Sequence, residues 1–240
     1  MIEERTRVLE ALAAGGSVEP GAEADALLEA ANDGAGPIGR LVARRLEGEP
    51  LPWITGWVWF CGVRVLVEPG VFVPRPQTQA LARRAVELLA ADGIATDLCT
   101  GSGAIAVVMR SARPAASVIA TDVDPVAVAC ARRNGVEALP GDLDEPLPPA
   151  LHERVDVVTA VVPYVPTEEL HLLPRERAAR AAPRWLRPGG TVLLELGGDQ
   201  ADELSATMAD AGLTAIRVHR DGEGRDRAIE ARRPDPRVPS

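Results

Sequence analysis

Three acidic turns, spaced along one stretch of the chain, are the residues best suited to chemistry. The first is Asp97-Leu-Cys-Thr-Gly-Ser-Gly-Ala-Ile. There Gly101 and Gly103 let the backbone turn sharply and approach a ligand without Cβ interference, and Thr100 belongs to the same turn. A helix opening just beyond it would point its positive N-terminus at that ligand. Asp97, immediately ahead of the turn, suits a ligand with a cationic amine better than one with a pyrophosphate. The second turn, Thr121-Asp122-Val-Asp-Pro, follows at the spacing of about 20 residues at which a carboxylate grips ribose hydroxyls. In the third, Gly141-Asp142-Leu-Asp-Glu-Pro-Leu, Asp142 stands where it could meet an adenine amino group. Taken singly each has a plainer reading. A GxG turn is most often only a strand-to-helix connection, and Asp122 could cap the helix that opens at Pro125. Together, in this order, they suggest S-adenosylmethionine as the ligand.

Turns of this kind need strands to hold them, and the pattern supplies them. From about residue 79 the chain alternates helix and strand: helices over 79–91, 104–111, 125–134, 178–186 and 201–211, and strands over 95–98, 117–121, 155–160, 191–196, 214–220 and 227–231. Such alternation predicts an α/β fold, a mostly parallel, doubly wound Rossmann-like sheet covered by helices on both faces, with an antiparallel pair at one edge. Ahead of it, apolar residues recur at helical spacing (Val8, Leu9, Leu12; Leu27, Leu28, Ala31; Ile38, Leu41, Val42, Leu46), which predicts three short helices. Trp53 to Val67, β-branched and aromatic with Gly62 between two runs, reads as a hairpin. The expected organisation is a helical domain over 1–50, a linking hairpin over 51–72, a catalytic domain over 73–233 and a tail over 234–240.

Composition narrows the partners. Lys+Arg 26 against Asp+Glu 35 gives a net charge of −9, and every basic residue is Arg. An acidic chain is a poor prior for nucleic-acid binding, which depends on neutralising phosphates. Apolar runs stop well short of the roughly 20 residues that span a bilayer. The charged start predicts no signal peptide, so a cytoplasmic protein without membrane association is expected. Cys61, Cys99 and Cys130 are read as buried thiols, and the scattered His152, His171 and His219 predict no metal site.

The order Glu49-Pro-Leu-Pro-Trp-Ile-Thr-Gly, Phe72-Val-Pro-Arg-Pro-Gln-Thr-Gln, Asp97-Leu-Cys-Thr-Gly-Ser-Gly, Pro163-Tyr-Val-Pro and Trp185-Leu-Arg-Pro-Gly-Gly-Thr-Val-Leu-Leu-Glu-Leu-Gly resembles the HemK-type protein-glutamine N-methyltransferases. These class I, S-adenosylmethionine-dependent enzymes methylate the glutamine amide of peptide chain release factors. The resemblance covers essentially the whole chain, and Pro-Arg-Pro is its most specific piece. It implies that Asp97, Thr100, Gly101 and Gly103 hold the methionine portion of the cofactor, Asp122 the ribose and Asp142 the adenine. It also implies that Phe72, Pro74, Arg75 and Thr78 border the acceptor pocket.

The departures from the family lie at the acceptor. The family signature Asn-Pro-Pro-Tyr is Val161-Val-Pro-Tyr here. A valine cannot orient an amide or accept its proton, so Pro163 and Tyr164 alone remain of the motif. Gln77 replaces the family Glu, Cys99 replaces the first glycine, and the segment between Tyr164 and Gly189 is shorter than in the family. An acceptor other than the glutamine amide is therefore expected, either a small molecule or a peptide. Glu168 is a candidate base just past the acceptor loop, and Glu195 a candidate pocket residue at the carboxyl edge of the sheet. Two other readings stay open. One is a methyltransferase fold of natural-product biosynthesis that catalyses elimination or ring closure, with a small partner subunit. The other is a non-catalytic binding subunit. Trp57 and Trp59, on one strand face by period two, are either core or an exposed pair for a protein partner or a second copy. Arg175, Arg177, Arg180 and Arg184 read as a solvated helix face.

Overall fold

In the computed structural model, residues 2–162, 174–198 and 200–237 are described. The N-terminal region holds α1 (Ile2–Ala14), α2 (Pro20–Asn32), α3 (Ile38–Leu46) and α4 (Leu51–Thr55). The expected apolar stripes meet in a core of Val8, Leu12, Ala24, Leu27, Leu41 and Ile54. The fourth helix stands where the start of the hairpin was expected. Pro50 and Pro52 look like breakers in sequence, but a proline in the first helical turn removes no hydrogen bond. Gly56, left-handed at φ 83°, ends that helix.

The hairpin follows as β1 (Trp57–Phe60) and β2 (Val63–Leu66), paired Phe60↔Val63. Its two-residue turn, Cys61 at φ 50° and Gly62 at φ 77°, has the positive backbone angles that match the twist of a tight hairpin. Trp57 and Trp59 do touch, edge to face with centroids 5.9 Å apart. They do not form the exposed pair, because the Arg64 guanidinium covers Trp57 at 4.5 Å and leaves that ring 7% exposed, against 56% for Trp59.

The remaining elements are α5 (Thr78–Leu88), β3 (Ile94–Leu98), α6 (Ala104–Ala112), β4 (Ser117–Asp122), α7 (Pro125–Arg133), β5 (Glu137–Pro140), β6 (Val155–Ala160), α8 (Pro174–Trp185), β7 (Leu186–Glu195), α9 (Ala201–Asp210), β8 (Thr214–Arg220) and β9 (Asp226–Arg232). The sheet runs β5-β4-β3-β6-β7-β9-β8, parallel from β5 to β7, with β9 antiparallel to both its neighbours. This is the expected doubly wound sheet closed by an antiparallel pair. Alternation along each strand separates two cores. Val157 and Leu193 pack with Leu81, Ala95 and Met109 beneath α5 and α6, whereas Val158 and Leu194 pack with Trp185, Leu204 and Met208 beneath α8 and α9. Each such leucine, wholly buried, contributes about 1.5–3 kcal/mol.

Two strand assignments differ from expectation. The edge strand β5 is only four residues long and ends in Pro140, too short for an alternation signal. β7 starts at Leu186 rather than 191 because Pro188-Gly-Gly is a bulge, not a turn: the register shifts between Val155↔Leu186 and Val157↔Thr191. A Cβ at Gly190 would lie 2.8 Å from the Val155 carbonyl, so only glycine permits that approach. No helix of the described residues is long and apolar enough to cross a membrane.

The chain winds outward from β3 through β4 to β5, then returns to place β6 on the other side of β3. Loops on the two sides diverge at that reversal and leave a crevice beyond the carboxyl ends of the strands.

Candidate active site

The crevice is a cavity of about 900 Å³ lined by residues that follow each parallel strand: Cys99 to Ser102 after β3, Asp122 to Asp124 at β4, Asp142 and Leu143 after β5, Val161 and Val162 after β6, and Glu195 to Gly197 at β7. The loop before α5 closes the remaining side with Phe72, Pro74, Arg75 and Gln77, together with Thr78.

At the β3–β5 end each acid is held in place. Asp97 is the penultimate residue of β3, buried, and accepts hydrogen bonds from Thr100 Oγ1 at 2.6 Å and Thr159 Oγ1 at 2.7 Å. Thr159 is its lateral neighbour in the parallel pairing with β6. Burial pushes the Asp97 carboxyl up to about 6, against the two hydroxyls, which favour the ionised form. A cationic group placed beside it would restore the full charge. The two oxygens of Asp122 are oriented by backbone donors, Gly101 N at 2.8 Å and Asp124 N at 3.0 Å, and each keeps a lone pair for a hydroxyl. The N-cap of α7 is Asp124, which accepts from Val126 N at 2.8 Å, so Asp122 is left to the cavity.

The glycines divide their work. Gly101 (φ 56°) lines the cavity, and a Cβ there would meet nothing closer than the Phe72 carbonyl at 4.0 Å. Gly103 (φ 83°) is absent from the lining. A Cβ at Gly103 would come within 3.1–3.3 Å of Val136 and Ala131, so its place is the close packing of α6 on α7. Cys99 also lines the cavity, left-handed at φ 54° and half-buried like Cys61, so of the three thiols only Cys130 is buried as expected. Burial, reinforced by Asp122, Asp97 and Asp142, pushes the Cys99 thiol up to about 12, which keeps it protonated and inert.

Asp142 lines the cavity but also pairs with Arg177 at 2.8 Å, both side chains about two-fifths exposed. This corrects the reading of the α8 arginines as a solvated face: Arg177 reaches Asp142 and Arg175 joins the cavity lining.

The other end differs in kind. Phe72, Pro74, Val161, Val162 and Leu196 make its wall apolar, and the Arg75 guanidinium lies over the Phe72 ring at 5.2 Å. Its carboxylate is Glu195, whose oxygens lie 2.9 and 3.1 Å from Thr78 Oγ1. Burial raises the Glu195 pKa, while Thr78, Arg75 and Arg227 work to lower it. Pro163, Tyr164, Glu168 and Glu169 lie outside the described residues.

Sequence reasoning missed Thr159, Ser102, Val162 and Gln200 in or beside this site. The hydroxyl of Ser102 is buried in the cavity lining without a hydrogen-bond partner. An orphan hydroxyl, an open glycine turn and three carboxylates form a polar cradle that fits S-adenosylmethionine.

Fold and site together define a class I S-adenosylmethionine-dependent methyltransferase. Residues 95–190 match the family described as methyltransferase domain. The chain is 33% identical to the release factor glutamine methyltransferase of Geobacter sulfurreducens, over 80% of this chain and 76% of that protein. It is 34% identical to the 4-amino-L-phenylalanine/4-methylamino-L-phenylalanine methyltransferase of Streptomyces pristinaespiralis, over 74% of this chain and 76% of that one. Among solved structures, a T. thermophilus 16S rRNA N2 G1207 methyltransferase with AdoMet and guanosine shares the fold at a TM-score of 0.58 and 21% identity, over 74% of this chain and 49% of that one. The chain belongs to the HemK-type family of release factor glutamine methyltransferases.

Proposed function

We propose that this chain transfers the methyl group of S-adenosylmethionine to an acceptor other than the glutamine amide. The observation that carries the reading is Val161, an apolar side chain on the cavity wall where the family places an amide-binding Asn. A buried amide left without partners there costs about 1–3 kcal/mol. The Streptomyces pristinaespiralis relative, named for an amino-acid substrate, supports a small-molecule acceptor within the same family.

In this reading Asp97 receives the cationic amine of the cofactor's methionine portion, Asp122 the ribose hydroxyls and Asp142 the adenine edge, with Thr100 and Gly101 shaping the turn. The bound cofactor supplies an electrophilic methyl on a sulfonium. The protein's contribution is to orient the acceptor in line with that methyl and to exclude water, because the leaving thioether needs no acid.

The test is transfer of labelled methyl from S-adenosylmethionine to a panel of small nucleophiles and to a release factor carrying its glutamine motif. Transfer to a small nucleophile with the release factor untouched is expected. Methylation of the release factor would overturn the reading. Cofactor binding without transfer to any acceptor would favour a repurposed fold.

A further inference from the structure

Val161 and Glu195 line the same end of the cavity. The parallel pairing of β6 with β7 sets Ala160 opposite Leu194. Val161 directly follows β6 and Glu195 is the last residue of β7, each one step beyond that pair, and both line the cavity. A threonine hydroxyl has one proton, so Thr78 donates to only one Glu195 oxygen at a time, and the carboxylate keeps lone pairs for another donor. Phe72, Pro74, Val161, Val162 and Leu196 give the same cavity end an apolar surface, beside the polar Arg75 and Gln77.

That pairing selects among nitrogen acceptors. An amide needs a donor for its carbonyl as well as an acceptor for its N–H; Glu195 supplies only an acceptor, and Val161, where the family places an amide-binding Asn, supplies neither. An amine needs only the acceptor. Aliphatic amines, with pKa values near about 10, are protonated at neutral pH and have no lone pair to offer, whereas an aromatic amine is uncharged and its ring suits apolar walls.

Building on the non-amide reading, we propose that the acceptor is an aromatic amine whose N–H donates to Glu195, and that Glu195 is the catalytic base that takes its proton. As the nitrogen lone pair forms the new N–C bond, the bond from that carbon to sulfur breaks and its electron pair stays on sulfur. The nitrogen, now cationic, releases one proton to a Glu195 oxygen, which passes it to water. The charged groups facing Glu195 are Arg75, from the loop before α5, and Arg227, from β9; both favour the ionised form, while burial opposes them and prevails. A carboxylate raised in this way is a stronger base than a solvated one.

Two measurements on the full chain test this. Calorimetry on protein loaded with S-adenosylhomocysteine should show binding of a 4-alkylaniline, weakened in Glu195→Gln, with affinity for S-adenosylhomocysteine unchanged. Labelled-methyl assays should show the aniline preferred over the matching phenol and benzylamine, with turnover lowered about 100-fold or more in Glu195→Gln. The wild-type rate should also fall as pH drops through the raised Glu195 pKa, a limb that Glu195→Gln lacks once the aniline's own protonation is subtracted. If Glu195→Gln loses S-adenosylhomocysteine affinity, the wild-type pH limb decides alone. Preference for the phenol or benzylamine overturns the amine assignment and leaves the non-amide reading standing. Methylation of a release factor glutamine overturns both. Unaltered turnover in Glu195→Gln, or a missing limb, removes Glu195 as the base.

Discussion

At the β3–β5 end of the cavity each carboxylate has named donors that fix its direction: Thr100 and Thr159 for Asp97, backbone Gly101 and Asp124 for Asp122. At the β6–β7 end one carboxylate, Glu195, is held by a single hydroxyl within an apolar wall. Both ends sit on the same sheet, so the scaffold alone does not account for the contrast. One end is organised for a ligand rich in amino and hydroxyl groups. The other sets Glu195 among apolar side chains, with Val161 on its wall, and under the proposed reading that is where the choice of acceptor is made.

The comparison is broken most severely at Asp97. Asp97→Asn should weaken S-adenosylmethionine binding by about 3 kcal/mol, the scale of a charge-assisted pair in a buried site, measured by calorimetry. The same substitution should stabilise the cofactor-free protein. The folded-state pKa of Asp97 stands near 6 against an ordinary 3.8, so the folded state holds its proton more tightly than the unfolded chain. Stability from this group is therefore present below about pH 4 and lost as pH rises through 6, a loss of about 1–3 kcal/mol that Asp97→Asn removes. Denaturant midpoints of the two proteins should converge at low pH and separate at neutral pH.

A smaller effect is expected at Asp122. Asp122→Ala should cost about 1–3 kcal/mol of cofactor affinity, because it strands the Gly101 and Asp124 amides as well as the ligand's hydroxyls. Acceptor affinity, measured with an alternative acceptor bound, should stay the same, which would sharpen the separation of the two ends. Gly103→Ala should lower stability by about 1–3 kcal/mol through its left-handed backbone and its approach to Ala131, visible in the urea midpoint. The mildest change is Arg177→Ala. Its ion pair with Asp142 is partly exposed, and losing it should shift stability by less than about 1 kcal/mol.

How far the sequence revealed this site depended on whether a signal is local. The three acidic turns were legible because each lies within a few residues of a strand end and carries glycine or acid at fixed spacing. Glu195 was legible from its place at the carboxyl edge of a strand. Thr159 was not, because its role comes from register: it meets Asp97, 62 residues away, only once β6 pairs with β3. Arg177 was misread for the same reason, its partner Asp142 lying on another turn. Helix α4 was hidden because Pro50 and Pro52 break helices in their interiors yet open them comfortably. Trp57 and Trp59 were left open between core and exposed pair because alternation gives the side of a strand but not what covers it, here Arg64 over Trp57.

One titration tests the contrast between the two ends most directly. S-adenosylmethionine is titrated into the chain by calorimetry, and a release factor peptide bearing its glutamine is then titrated into the loaded protein. The account predicts heat with a micromolar dissociation constant for the first and none for the second. Tight binding of the peptide, or no heat from the cofactor at millimolar concentration, would contradict it.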